Sequence, residues 1–151
     1  MPDEKFESAK AASTAQVLFK TARLLNEHAV GRVRERARLP NLRPSHTALF
    51  PHIRVDGGSR LTELAAALGV SKQAVAQLVD ELVDMRVLTR LPDPDDGRAK
   101  RIAYSRGVDS LMDGLSLLGE VEAEIADAIG EDTMGDLHRG LTALLTYLEG
   151  R

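Results

Sequence analysis

Cysteine is absent from this chain of 151 residues, and aromatic residues make up only 3% of it. The absence of cysteine excludes disulfide bonds, thiolate zinc sites and thiol-based peroxide sensing. With so few aromatics, a core must rest on Leu, Val, Ile and Ala, a mixture that favours helices. No stretch approaches the roughly 18 apolar residues of a membrane helix, and the charged start MPDEKFESAK lacks the apolar segment of a signal peptide. We therefore expect a cytoplasmic protein with no membrane partner.

Charge is unevenly distributed along the chain. The net charge is −3, but residues 1–60 carry a net +5, residues 61–105 a net −1 and residues 106–151 a net −7. Such asymmetry predicts a molecule with one anion-facing side and one acidic side. The alternative is that folding brings the oppositely charged parts together, so that their fields cancel. Hydrophobic residues, at 43%, suffice for the core of one domain or a compact pair.

The first part of the chain predicts helices. Apolar residues recur near helical spacing from Glu4 to about Arg38, with few breakers, which predicts one long helix. Pro44 can occupy the first position of a second helix, which would run to about Ile53 and be interrupted near Pro51. The segment DGGS that follows is a turn.

The most informative stretch is LTELAAALGVSKQAVAQLVDELVDMRVL, residues 61–88. We expect Thr62 to cap a short helix over residues 63–68, and Ser71 to cap a longer one from residue 72 to about 85. Gly69 permits the tight turn between them. Two short helices that share an apolar face across such a turn predict a helix-turn-helix, although other helical hairpins can mimic this pattern.

A hairpin and two more helices complete the pattern. Residues 87–91 and 99–105 read as strands joined by a turn rich in Pro, Asp and Gly, and a hairpin directly after a helix-turn-helix is a wing. Residues 108 to about 129 and 132 to 149 each carry a broad apolar stripe. Because the wing and this helix pair cannot bury both stripes, we expect a homodimer. Packing against the N-terminal helix of the same chain is the alternative.

These segments resemble the MarR family of winged-helix regulators. The resemblance is densest in LTELAAALGVSKQAVAQLVDEL and in DPDDGRAKRIAYS, while RPSHTALF is similar to the start of the family's second helix. It implies an α+β, mostly α, fold in which residues 1–40 and 106–151 form a helical dimerisation region and residues 41–105 a winged helix-turn-helix. It further implies a homodimer on a roughly palindromic DNA operator. Many such proteins are repressors that a small aromatic or anionic effector releases; no cofactor is implied.

The candidate DNA-reading residues lie on the helix that opens at Ser71. Ser71 and Lys72 suit phosphate contacts at the positive helix N-terminus. Gln73 and Gln77 share a face and can reach base edges, and Ala76 beside them can touch a thymine methyl. The alternative for both glutamines is that they only solubilise the helix. Many relatives carry an Arg in this helix where this chain has Gln77, so the resemblance implies a different operator without a guanine contact there.

The wing supplies the second candidate contact. Asp93 and Asp95 favour turn geometry, Gly97 helps to shape the tip, and we expect Asp96 to hold the guanidinium of Arg98 for entry into a minor groove. Lys100 or Arg101 would neutralise flanking phosphates, although strand alternation places these two on opposite faces. The alternative is an ordinary exposed hairpin with a weak surface ion pair. Arg86 stands where relatives have Gly, which predicts either a left-handed residue or a different helix end.

Other sites have weaker support. His46 and His52, with Arg23 as an anion partner, are weak candidates for an effector pocket, because they fall in segments that border the pocket in the resembling family. The four histidines lack metal-ligand spacing, so no metal site is expected. No nucleophile elbow or phosphate loop is found, so we expect no enzyme. A winged-helix dimer that binds only proteins remains an alternative, which the acidic stretch from Asp80 to Asp84 favours.

Overall fold

The computed structural model describes residues 1–105 and 108–151, with the side chains of residues 1–105 and 112–151. The order of elements begins with α1 (Pro2–Ala12), α2 (Thr14–Ala37) and α3 (Pro44–Thr47). It continues with β1 (Ser59–Arg60), α4 (Leu61–Leu68), α5 (Lys72–Asp84), β2 (Leu88–Pro92) and β3 (Lys100–Tyr104), and ends with α6 (Val108–Ile129) and α7 (Glu131–Glu149). This confirms the mostly helical α+β fold.

The long N-terminal helix expected from the sequence is two helices. Ser13 separates them with an extended backbone, at φ −83° and ψ 114°. Its hydroxyl accepts a hydrogen bond from the Gln16 N–H at 3.4 Å, so Ser13 caps the start of α2. The sequence did not predict this break, because the apolar periodicity continues across Ser13. A serine hydroxyl that bonds to a nearby backbone N–H can interrupt a helix in this way.

The second predicted helix is interrupted, as expected. α3 ends at Thr47, and a short 3-10 turn follows at Phe50–His52, with Pro51 in its middle. Leu49 lies between the two turns and is fully buried. The break lets Leu49 and Ile53 both reach the core.

A three-stranded antiparallel sheet has the order β1-β3-β2. Leu88 pairs with Tyr104 and Pro92 with Lys100, so β2 and β3 form the hairpin that the sequence predicts. The edge strand β1 was not predicted, because it has only two residues; Ser59 pairs with Ile102. Gly58, at φ +71°, leads into it, and a Cβ there would lie 2.4 Å from the Ile102 carbonyl oxygen. Only glycine allows this approach of the two backbones.

The core lies within the first of two compact units, Met1–Leu111 and Met112–Arg151. It joins the end of α2, the α3 region, the helix-turn-helix and the sheet. Its buried members are Val30, Leu42, Leu49, Ile53, Leu64, Ala65, Val75, Val79, Leu82, Leu88 and Ile102. Each large side chain among them contributes roughly 1.5–3 kcal/mol by leaving water.

The second unit contains most of α6 and all of α7. Gly130, at φ 99°, begins α7. Val121 and Ala126 of α6 are buried, whereas no residue of α7 is. Both helices lie within a residue of the predicted bounds. The predicted division into a dimerisation region, 1–40 and 106–151, and a DNA-binding region, 41–105, remains a prediction; residues 106 and 107 lie outside the described residues.

Candidate nucleic-acid interface

Local backbone chemistry sets the angle between α4 and α5. α4 begins two residues earlier than predicted, because Arg60 and not Thr62 is its cap: the Glu63 carboxylate accepts the Arg60 backbone N–H at 3.2 Å. Gly69 is left-handed, at φ 65° and ψ 30°, as its place in the turn predicts. The Ser71 hydroxyl then accepts the Ala74 N–H at 3.1 Å and starts α5. The helix-turn-helix is thus confirmed.

The two faces of α5 differ sharply. Val75, Val79 and Leu82 are fully buried. On the other side, the structure brings together the candidate contact residues of the first two turns: Ser71, Lys72, Gln73 and Gln77 are exposed, and Ala76 is half-buried. The unpaired N–H groups of the first turn lie at the same end and favour an anion.

Two of the three carboxylates on α5 are paired within the protein. Asp80 forms an ion pair with Arg90 of β2. Glu81 contacts the Arg43 guanidinium, and its Oε2 lies 2.6 Å from His46 Nε2. Hydrogen bonds from Arg43 and His46 lower the pKa of Glu81, so it is ionised at neutral pH. These pairs offset the acidity that the sequence places on the later part of α5.

A buried carboxylate anchors the wing. Asp93 is 3% exposed, and its Oδ2 accepts Arg60 Nε at 2.6 Å. Its Oδ1 accepts the Asp95 N–H at 2.9 Å, which confirms its expected role in the turn. The Arg60 hydrogen bond, followed by the bond from Asp95, lowers the pKa of Asp93 from 3.8 to about 2. The link to Arg60 joins the wing to the start of α4.

The role expected of Asp96 is corrected. Its Oδ1 accepts the backbone N–H of Arg98 at 3.0 Å, an Asx turn that shapes the tip and leaves the guanidinium unbound by it. Arg98 and Lys100 are both exposed. Gly97 has no positive φ, and a Cβ there would meet nothing within 4 Å, so this backbone does not require glycine.

Arg101 turns away from the role of a phosphate contact. Its Nε lies 3.5 Å from Asp93 Oδ2, its Nη2 lies 3.7 Å from Asp95 Oδ2, and its side chain is 16% exposed. Of the two cations considered for flanking phosphates, Lys100 is therefore the exposed one. Strand alternation had already placed the two on opposite faces.

Arg86 adopts the left-handed conformation, at φ 60°. It follows Met85, the C-cap of α5, and its carbonyl oxygen accepts a hydrogen bond from the Ser105 hydroxyl. A residue with a Cβ here costs about 1–2 kcal/mol relative to an ordinary backbone. The first of the two possibilities left open by the sequence is the observed one.

The three pocket candidates differ in their exposure and in their partners. Arg23 is exposed and pairs with Glu27 at 2.8 Å, and His52 is exposed. His46 is fully buried, and both of its ring nitrogens have protein partners, Arg43 and Glu81. Among the described residues, no group of His, Asp and Glu is placed to hold a metal ion, and no helix is long and apolar enough to cross a membrane.

Known proteins share this architecture. Residues 42–99 match the MarR family model, whereas no curated protein matches the chain. A cysteine-to-serine mutant of MarR from Escherichia coli has a TM-score of 0.68 at 18% identity, over 88% of this chain and 96% of that one. MepR, a transcription regulator of the Staphylococcus aureus multidrug efflux pump MepA, has a TM-score of 0.62 at 16% identity, over 90% and 98% of the two chains.

A probable transcriptional regulator from Pseudomonas aeruginosa is also similar, with a TM-score of 0.60 at 21% identity, over 89% of this chain and 98% of that one. These solved structures share the fold along nearly the whole chain. The family match covers the helix-turn-helix, β2 and the turn of the hairpin, and it ends just before β3. Residues 42–99 therefore resemble the winged-helix domain of the MarR family, in a chain whose fold is that of these solved structures.

Proposed function

We propose that this chain is a homodimeric, sequence-specific DNA-binding transcriptional regulator that acts as a repressor. The observation that carries the proposal is the shared exposure of Lys72, Gln73 and Gln77 on α5 and of Arg98 on the wing. In this assignment, the start of α5 enters the major groove and Arg98 the minor groove. Ser71, Lys72 and Lys100 contact phosphates, and Ala76 contacts a thymine methyl. Among the proteins of similar fold, MepR is a transcription regulator and the Pseudomonas aeruginosa protein is a probable transcriptional regulator.

Dimerisation is proposed from the terminal helices. α7 exposes a run of apolar side chains at helical spacing, each between 39% and 61% exposed: Leu137, Leu141, Leu144, Leu145, Tyr147 and Leu148. A stripe of this size is typical of an interaction surface. A two-fold dimer would bury it and would present two copies of α5 to a palindromic operator.

Release by a small aromatic or anionic effector remains part of the proposal, with Arg23, His46 and His52 as weak candidates for its pocket. The contacts of His46 favour a structural role for that residue. A cytoplasmic location and the absence of a cofactor also remain predictions. The protein-interaction alternative loses support, because Asp80 and Glu81, two of the carboxylates that favoured it, are paired inside the chain.

Selection of bound duplexes from a random pool, followed by fluorescence anisotropy, tests the proposal. We expect a palindromic site, and affinity that falls with salt by a log–log slope of about 0.9 per phosphate neutralised. Arg98→Ala should weaken binding to all sequences alike, whereas Gln73→Ala should change the selected bases. No enrichment of any sequence by the wild-type chain at low salt would contradict the proposal.

A further inference from the structure

Glu81 lies one helical turn after Gln77 and contacts it. Glu81 Oε1 is 3.5 Å from Gln77 Nε2, while its Oε2 faces Arg43 and His46. The two oxygens of the Glu81 carboxylate therefore have different partners. Oε2 faces the interior of the protein, and Oε1 faces the residue proposed to read a base.

The interior contacts fix the carboxylate. His46 is fully buried, and its Nδ1 accepts the Arg43 backbone N–H at 2.8 Å. A ring nitrogen that accepts a hydrogen bond carries no proton, so the proton of neutral His46 is on Nε2 and is donated to Glu81 Oε2. With the Arg43 guanidinium beside it, Oε2 has two donors. A different side-chain conformation of Glu81 that moved the carboxylate away would lose both contacts.

The same logic decides the orientation of the Gln77 side chain. An ionised carboxylate can only accept hydrogen bonds, so the Gln77 amide nitrogen, and not its oxygen, must face Glu81. The carbonyl oxygen of Gln77 then lies on the other side of the amide, away from Glu81. Of the two amide hydrogens, one is used by Glu81 and one remains.

We propose that Glu81 is a positioning residue that sets which base Gln77 reads; this inference rests on the proposed function. With its oxygen presented, Gln77 selects bases that carry an amino group on the major-groove edge, which are adenine at N6 and cytosine at N4. Adenine is preferred, because the remaining amide hydrogen can also meet N7. Guanine and thymine carry only hydrogen-bond acceptors on their major-groove edges. They cannot donate to the Gln77 oxygen and are disfavoured.

Glu81→Gln should invert this preference. The new amide oxygen must face the two donors, His46 and Arg43, which places the new amide nitrogen towards Gln77. Gln77 then turns its oxygen to that nitrogen and presents its own NH₂ group to the DNA. We expect the position in each half-site to change from adenine or cytosine to guanine or thymine, with a preference on the order of tenfold in each case.

The experiment selects duplexes from a random pool with four full-length proteins: wild type, Glu81→Gln, Gln77→Ala and Asp84→Asn. Asp84 is exposed near the end of α5, and its variant makes the same change of charge away from Gln77. Gln77→Ala should lose selection at the one position that Glu81→Gln inverts, and Asp84→Asn should keep the wild-type site. A Glu81→Gln protein that selects the same base class as wild type would overturn the inference.

A second measurement uses the unaltered protein, so it holds even if Glu81→Gln fails to fold. Two base analogues replace the selected adenine in the duplex: purine, which lacks the N6 amino group, and 7-deazaadenine, which lacks N7. The affinity measured by fluorescence anisotropy should fall on the order of tenfold when the amino group is lost. Loss of N7 should lower the affinity by a smaller factor. Equal affinity for purine and adenine would overturn the inference while leaving the proposed function standing, whereas failure of wild type to select any sequence would overturn both.

Discussion

The winged-helix region and α7 differ in how they dispose of their apolar side chains. From Leu42 to Ile102, apolar residues of α4, α5, β2, β3 and the segments on either side of α3 converge on one buried cluster. α7 has a similar supply of leucine but buries no residue. The winged-helix region therefore buries its apolar side chains, while α7 presents an exposed apolar stripe. This contrast teaches that the same amphipathic pattern has two uses, and that sequence periodicity alone does not distinguish them.

The largest expected effect comes from truncating matched leucines in the two regions. Leu82 is fully buried, whereas Leu145 is 56% exposed. Leu82→Ala should lower the free energy of unfolding by about 2–5 kcal/mol, because it leaves a cavity. Leu145→Ala should change it by less than about 0.5 kcal/mol in dilute solution.

Urea denaturation at several protein concentrations makes the comparison. The loss caused by Leu145→Ala should grow with concentration, since a side chain buried only in a dimer stabilises the folded state by mass action. The loss caused by Leu82→Ala should include a part that is independent of concentration. Equal losses for the two variants at every concentration would break the contrast between the regions.

A smaller effect tests how the winged-helix region closes around β1. Gly58→Ala places a Cβ 2.4 Å from the Ile102 carbonyl oxygen, at φ +71°. The left-handed backbone alone costs about 1–2 kcal/mol, and the contact with backbone adds to it. Gly57→Ala is the matched control, because Gly57 has φ +76° and nothing within 4 Å of an added Cβ. Thermal unfolding that ranks Gly57→Ala as the more damaging would contradict this account of the strand.

Local chemistry explains which parts of this region the sequence could predict. Gly69 and Ser71 act on neighbours within a few residues, so the turn and the start of α5 were predictable. Ser13 is equally local, but the apolar period continued across it and concealed the break. The partners of Asp93 and Glu81 lie 33 and 35 residues away in Arg60 and His46. Residue spacing along the sequence cannot predict contacts between residues so far apart. The contact that anchors the wing and the contacts that hold Glu81 beside Gln77 could therefore be identified only from the structure.

The buried carboxylate of the wing gives a pH-dependent test. Because the folded pKa of Asp93 is about 2, below its ordinary 3.8, its ionised form stabilises the fold above about pH 4, and this is lost as pH falls towards 2. The Asp93→Asn variant should therefore be less stable than wild type near pH 6. The difference between their free energies of unfolding should become smaller as the pH falls. Urea midpoints at about pH 6, 4 and 3 measure it, with Asp95→Asn, at 77% side-chain exposure, as the control. If the difference in urea midpoint between wild type and Asp93→Asn stayed constant from pH 6 to 3, protonation of Asp93 would not be the cause of the loss of stability.

The smallest effect concerns the strained backbone of Arg86, between α5 and the wing. Arg86 is exposed and left-handed, at φ 60°, and follows Met85, the C-cap of α5. Arg86→Gly should raise the free energy of unfolding by up to about 1 kcal/mol, because glycine adopts this backbone freely but loses more entropy on folding. The hydrogen bond from Ser105 uses the backbone carbonyl and survives the change. Arg86→Ala keeps the strain and should show no gain. If both variants shifted the urea midpoint equally, the gain would come from removing the arginine side chain and not from the relief of its backbone.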